Sequence, residues 1–100
     1  MNIQITSRKF KAKDSLKTEI KEQLNTLSKF NDDILDANVI LSYIHLKDSI
    51  KTVEIVLSVP GKTLSAEDTS EDYGKSLTKT ISKLEKQLKT LKSKRLTKTR

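Results

Sequence analysis

One hundred residues, 34% hydrophobic and 33% charged, define one small domain with a thin core. The net charge of +7 points toward a polyanionic partner, and the absence of cysteine excludes disulfides and thiolate metal centres. No apolar run approaches the roughly 18 residues of a membrane span, and the start MNIQITSRKF lacks a signal-peptide apolar region, so a cytoplasmic protein is expected.

Asn2–Ser7 alternates, with Ile3 and Ile5 on one side and Asn2, Gln4 and Thr6 on the other, which predicts a short strand with one wet face. Arg8–Lys13 reads as a basic connection anchored by Phe10. Lys13–Phe30 has helical spacing, with Leu16, Ile20, Leu24 and Leu27 as its stripe, Lys17, Lys21 and Lys29 off it, and Asp14 or Ser15 as the cap. Asn31, Asp32 and Asp33 break the helix into a turn.

Leu35–Ile44 alternates again, with Ala37, Val39, Leu41 and Tyr43 sharing a face. His45–Ser49 is a polar connection, and Lys51–Val59 repeats the pattern through Val53, Ile55, Leu57 and Val59. Pro60-Gly61 is a turn dipeptide, and Lys62–Asp68 is a fourth strand with Leu64 and Ala66 inward. Close spacing makes the last three strands an antiparallel meander, and the first helix is a right-handed crossover between two parallel strands.

Ser70–Arg100 is one long amphipathic helix, capped by Ser70 with Glu71 and Asp72 in its first turn. At about 100° per residue, Tyr73, Leu77, Ile81, Leu84, Leu88 and Leu91 fall within roughly 40° of one line. Lys75, Lys79 and Lys86 fall on the opposite face, with Lys83 and Lys89 flanking them. The predicted fold class is α+β in the order β-α-β-β-β-α, a four-stranded sheet with both helices on its one dry face. The chain 1–100 reads as a single domain, with residues past about Leu91 expected to fray into a basic tail.

The segment 70–100 holds ten Lys/Arg against three acids and so carries the whole net charge, while residues 1–69 sum to zero. A solvated helix face normally mixes signs, but after Asp72 only Glu85 interrupts this run. Polyanion binding therefore outweighs a merely solvated face. Phe10, Phe30, Tyr43 and Tyr73 each fit a core position, which leaves no aromatic platform for stacking bases; phosphate contact and shape recognition of a structured RNA fit better. No catalytic apparatus is visible. His45 reads as an ordinary loop or strand-end residue, Asp32, Asp33 and Asp36 lack calcium-loop spacing, and Glu67, Asp68, Glu71 and Asp72 are explained by the start of a helix. The expectation is a non-enzyme with no cofactor, metal or small-molecule substrate.

Val59-Pro60-Gly61, Thr63-Leu64-x-Ala66-Glu67, Ser70-Glu71-Asp72 and Lys83-Leu84-Glu85-Lys86-Gln87-Leu88 together resemble the ribosome hibernation-promoting factor family, also called ribosome-associated inhibitor or sigma-modulation protein. Asn2-Ile3-Gln4-Ile5-Thr6 and Val39-Ile40-Leu41-Ser42 fit its first two strands. The resemblance implies a fold similar to double-stranded RNA-binding domains. It also implies binding in the decoding channel of the small ribosomal subunit, on ribosomal RNA, with inhibition of translation in idle or stressed cells. By position it carries RNA contact to Arg8, Lys17, Lys21, Lys75, Lys79, Lys83, Lys86 and Lys89. The chain departs from the family at Lys13-Asp14, where relatives commonly have Thr-Pro, and at Gly74, where they often have Tyr. A monomer off the ribosome is expected. The alternative reading is a regulatory protein-binding module, such as a transcription-factor modulator, that uses the basic C-terminal helix.

Overall fold

The computed structural model describes the backbone of residues 1–8, 11–29, 33–45 and 49–98, and the side chains of these except 44, 45, 49 and 92–98. The elements are β1 (Asn2–Ser7), α1 (Asp14–Ser28), β2 (Asp36–His45), β3 (Ser49–Val59), β4 (Lys62–Ser70) and α2 (Tyr73–Lys98). They form the expected α+β order, with a single sheet in the sequence β1-β2-β3-β4. β1 runs parallel to β2, and the other two pairs are antiparallel.

The register stacks the apolar alternation into rows on one face. One row is Ile3, Ala37, Leu57 and Leu64; the next is Ile5, Val39, Ile55 and Ala66. Ile20, Leu24 and Leu27 of α1 and Leu77, Ile81, Leu84 and Leu88 of α2 close over these rows, and all seven are buried. Toward the other end the same face turns polar. The row Ser7, Leu41, Val53 ends at Asp68, and Tyr43 and Lys51 lead to Ser70. Pro60 and Gly61 join β3 to β4 with Gly61 at φ 76°, the glycine position of a type II turn.

Several boundaries differ from expectation. The N-cap of α1 is Lys13, in an extended conformation (φ −69°, ψ 149°) and with no side-chain cap. Its carbonyl receives the Leu16 and Lys17 N–H groups at 3.1 Å, so neither Asp14 nor Ser15 holds that position. Asp14 lies in the first helical turn, where its charge favours the dipole. Ser70 does not cap α2; it ends β4 opposite Lys51. The strand runs two residues past Asp68 because β3 continues beside it. The Asp72 carbonyl accepts the Ser76 N–H at 3.1 Å, so the helix opens after both acids rather than around them.

The backbone of α2 is helical through Lys98. Tyr43 is 38% exposed and is not a core residue, because β2 there has passed beyond the cover of the leucines. His45 closes β2 as a strand-end residue. The expectations for Phe10, Phe30, Asn31 and Asp32 lie outside the described residues.

Candidate nucleic-acid interface

α2 is held to the sheet by two parallel seams. The leucine seam is the expected one. Beside it runs a polar seam at residues 73, 76, 80, 83 and 87, spaced three and four apart, whose side chains all donate to strand carbonyls. Tyr73 Oη donates to Ser42 O at 3.1 Å and Ser76 Oγ to Lys51 O at 2.7 Å. The buried Thr80 hydroxyl lies 3.1 Å from Val53 O and 2.7 Å from Ser76 O. Lys83 Nζ donates to Glu67 O at 2.9 Å and Gln87 Nε2 to Ser65 O at 2.8 Å. Burial, with a smaller contribution from Tyr43, pushes the Tyr73 phenol up to about 12. These bonds fix the rotation of α2, and that rotation decides which lysines face away from the protein.

Lys75, Lys79 and Lys86 fall roughly 140–180° from Leu84 around the helix and form its outer ridge, about 16 Å long. All three are exposed, and so is Lys89 on the side toward α1. Lys75 Nζ lies 2.9 Å from Glu71 Oε1 in an open i,i+4 pair, which raises the lysine above its ordinary value and lowers the carboxyl. The Lys79 and Lys86 ammonium groups form no ion pair with any described carboxylate.

Lys83 belongs elsewhere. It points to β4, with Nζ 3.0 Å from Asp68 Oδ2, and this hydrogen bond, with that from the Thr69 N–H, lowers the Asp68 carboxyl. Lys83 flanks the ridge as its spacing predicts, but its ammonium fastens helix to sheet edge.

The lysines of α1 are not brought to this ridge. Glu19 faces Gly74 across the helix–helix groove, and Gln23 and Thr26 face Thr78, Ser82 and Glu85. Lys17 and Lys21 fall roughly 60° and 100° to the other side of Ile20, on the flank turned from α2. α2 lies over β3 and β4, so that flank belongs to the β1 side of the molecule. Arg8 is on the same side, just past β1. The eight expected contact residues thus separate into the α2 ridge, Lys83 at the β4 edge, and Arg8, Lys17 and Lys21 beside β1.

The outer sheet face contrasts with the ridge. Among the described residues its strand positions include Asp36, Glu54 and Glu67 and no Lys or Arg, with Glu54 directly opposite Glu67. The outer sheet face is thus the acidic side of the domain and the helix side the basic one. Among the described residues no three His, Cys, Asp or Glu side chains are grouped to hold a metal, and no helix is long and apolar enough to cross a membrane.

A four-stranded sheet covered on one face by two helices, one with a basic outer ridge, defines a small α+β domain suited to meeting a polyanion. Residues 3–96 match the family described as Sigma 54 modulation protein / S30EA ribosomal protein, and the chain belongs to that family. It is 28% identical over 92 residues to the ribosome hibernation promotion factor of Deinococcus radiodurans, covering 90% of this chain and 48% of that protein. The chain therefore spans about half the length of that relative. Its fold is similar to a ribosomal subunit interface protein from Coxiella burnetii, with a TM-score of 0.84, 27% identity, and 93% of this chain and 99% of that one covered. It is also similar to the N-terminal domain of Thermus thermophilus Protein Y, with a TM-score of 0.81, 25% identity, and coverage of 91% and 99%.

Sequence reasoning located the outer ridge from its spacing. It missed Ser76, Thr80 and Gln87, although the 3-4-3-4 recurrence of hydrogen-bonding residues beside the leucines was a readable signal.

Proposed function

We propose that this protein binds the small ribosomal subunit in its decoding channel, on ribosomal RNA phosphates, and inhibits translation in idle or stressed cells. Membership of the family supports this reading, as do the names of its relatives, a ribosome hibernation promotion factor and a ribosomal subunit interface protein. The observation that carries it is the exposed ridge of Lys75, Lys79 and Lys86, with Lys89 beside it, on a helix whose rotation is fixed by five side chain–backbone bonds.

Such a ridge presents point charges to successive phosphates without reading bases, so binding follows RNA shape and counterion release. The protein acts by occupying space rather than by catalysis, and it is a cytoplasmic monomer when off the ribosome. Arg8, Lys17 and Lys21 lie on the β1 side of the domain, apart from this ridge.

Co-sedimentation with purified small subunits tests the reading. Wild-type protein travels with the subunit at about 50 mM salt and loses tenfold or more in affinity by about 200 mM. Lys79→Glu with Lys86→Glu abolishes both co-sedimentation and inhibition of a translation extract. Affinity flat across that salt range would instead favour the protein-binding alternative.

A further inference from the structure

The two edges of the sheet are built differently. β4 is guarded: its outward Ser65 and Glu67 carbonyls receive Gln87 and Lys83, and its Thr69 N–H donates to Asp68 Oδ1 at 2.8 Å. The strand also carries Lys62, Glu67 and Asp68, and charge discourages added strands.

Among the described residues β1 has none of these devices. Asn2–Ser7 contains no charged residue, proline or glycine. The Asn2 and Arg8 N–H groups bond to Leu35 O and Leu41 O at 3.0 and 2.9 Å. Even-numbered residues therefore face β2, and the N–H and C=O groups of Ile3, Ile5 and Ser7 face outward. Ile3 and Ile5 are only half-buried, while their row partners Ala37 and Val39 are buried.

Helical spacing puts Lys17 and Lys21 on the flank of α1 turned from α2 toward the β1 side, Arg8 follows the end of β1, and Asp14 is the one acid on that flank of the helix. We propose that the β1 edge is a docking surface for an extended acidic segment of a partner protein, which adds to the sheet as a fifth strand. Backbone bonds to Ile3, Ile5 and Ser7 supply the pairing, and every second side chain of the segment covers Ile3 and Ile5. Acidic residues near its ends meet Arg8, Lys17 and Lys21. A second copy of this chain is disfavoured, because edge-to-edge pairing would bring two sets of these cations together.

The test uses an acetylated octapeptide of alternating valine and threonine flanked by glutamates, and a control flanked by lysines. Amide exchange of the ¹⁵N-labelled protein is followed by NMR. At about 1 mM glutamate peptide, the Ile3, Ile5 and Ser7 amides slow roughly fivefold while β4 amides are unchanged. The lysine peptide has no effect. Ser7→Pro, which removes an outward N–H and no bond to β2, abolishes the protection but keeps co-sedimentation with small subunits. Lys17→Glu with Lys21→Glu leaves the backbone edge intact and abolishes the preference for glutamate.

No protection by the glutamate peptide, equal protection by both peptides, or undiminished protection in Ser7→Pro overturns the proposal. Protection of the same amides by a short RNA duplex instead assigns this flank to nucleic acid and overturns it too.

Discussion

Lys83 reaches from α2 to the sheet edge and places its Nζ 3.0 Å from Asp68 Oδ2, while the same ammonium caps the Glu67 carbonyl. In sequence, Lys79, Lys83 and Lys86 look alike. In the fold all three are exposed, but one is bonded to β4 and two stand on the outer ridge with no ion pair to a described carboxylate. Lys83→Glu places a second carboxylate beside Asp68 and removes the donor to the Glu67 carbonyl, so this variant should melt measurably earlier. Lys79→Glu with Lys86→Glu should melt like wild type and still fail to bind small subunits. Paired circular dichroism melts and co-sedimentation decide this. Equal melts for both variants would remove the fastening role of Lys83.

The ion pairs also set the pH response. Asp68 is held below its ordinary 3.8, first by the Lys83 hydrogen bond, and Glu71 below its ordinary 4.5, first by Lys75. A lowered carboxyl contributes stability above its unfolded value and loses it as pH falls through the folded one. Acid destabilisation from these groups should therefore begin below about pH 4.5 and be shallower in Asp68→Asn.

Tyr73 has the opposite sign. Its phenol is raised from 10.0 to about 12, so its contribution is complete below pH 10 and is lost as pH rises toward 12. In Tyr73→Phe the late phenolate absorbance should vanish, and the protein should be less stable at neutral pH through loss of the Ser42 bond. If the late step persists in that variant, it does not belong to Tyr73.

The buried Thr80 hydroxyl gives a test of the polar seam. Thr80→Val keeps the shape and removes the hydroxyl shared between Ser76 O and Val53 O. The expected cost is about 1 kcal/mol, within the usual range for one net hydrogen bond. Leu84→Ala, in the adjacent seam, should cost about 2–5 kcal/mol through the cavity it leaves. Urea melts of the two variants should rank in that order. A neutral Thr80→Val would show that the Thr80 hydroxyl adds nothing to the hold of the polar seam on the sheet.

Most of the fold was legible because period-2 and period-3.6 patterns are strong in this chain. Val53, Ile55, Leu57 and Val59 declared an inner face, and Leu77, Ile81, Leu84 and Leu88 declared the stripe that covers it. Boundaries were less legible, because strand pairing outlasts the apolar alternation. Lys51 and Ser70 are polar, yet they still pair. The ridge was legible on one helix. The separation of Lys17 and Lys21 from it was not, because it depends on the side from which α1 packs against α2. The role of Lys83 depended on the β4 edge lying within reach, which spacing along one helix does not report.

Gly74 shows where a departure in sequence has a structural meaning that can be measured. It sits in the first turn of α2, facing Glu19 of α1, in a helical conformation that any residue can adopt. A Cβ built there comes within 3.1 Å of Asp72 Oδ2 and 3.7 Å of Glu19 Oε1. Both are the ends of flexible side chains at the surface, so a shift of a few tenths of an ångström relieves the contact. Glycine in a helix costs about 0.5–1 kcal/mol relative to alanine through the greater freedom of its unfolded chain. Gly74→Ala should therefore stabilise the domain by an amount in that range, raising the melting temperature by a few degrees. A larger side chain would enter the groove lined by Lys11, Lys13, Leu16, Lys51 and Tyr73. Gly74→Tyr should fill this space and displace the Asp72 carboxylate from the helix start, so its gain should be smaller than that of alanine. Thermal melts of the two variants beside wild type check both statements. A loss of stability in Gly74→Ala would mean that Asp72 is held more tightly than its exposure implies.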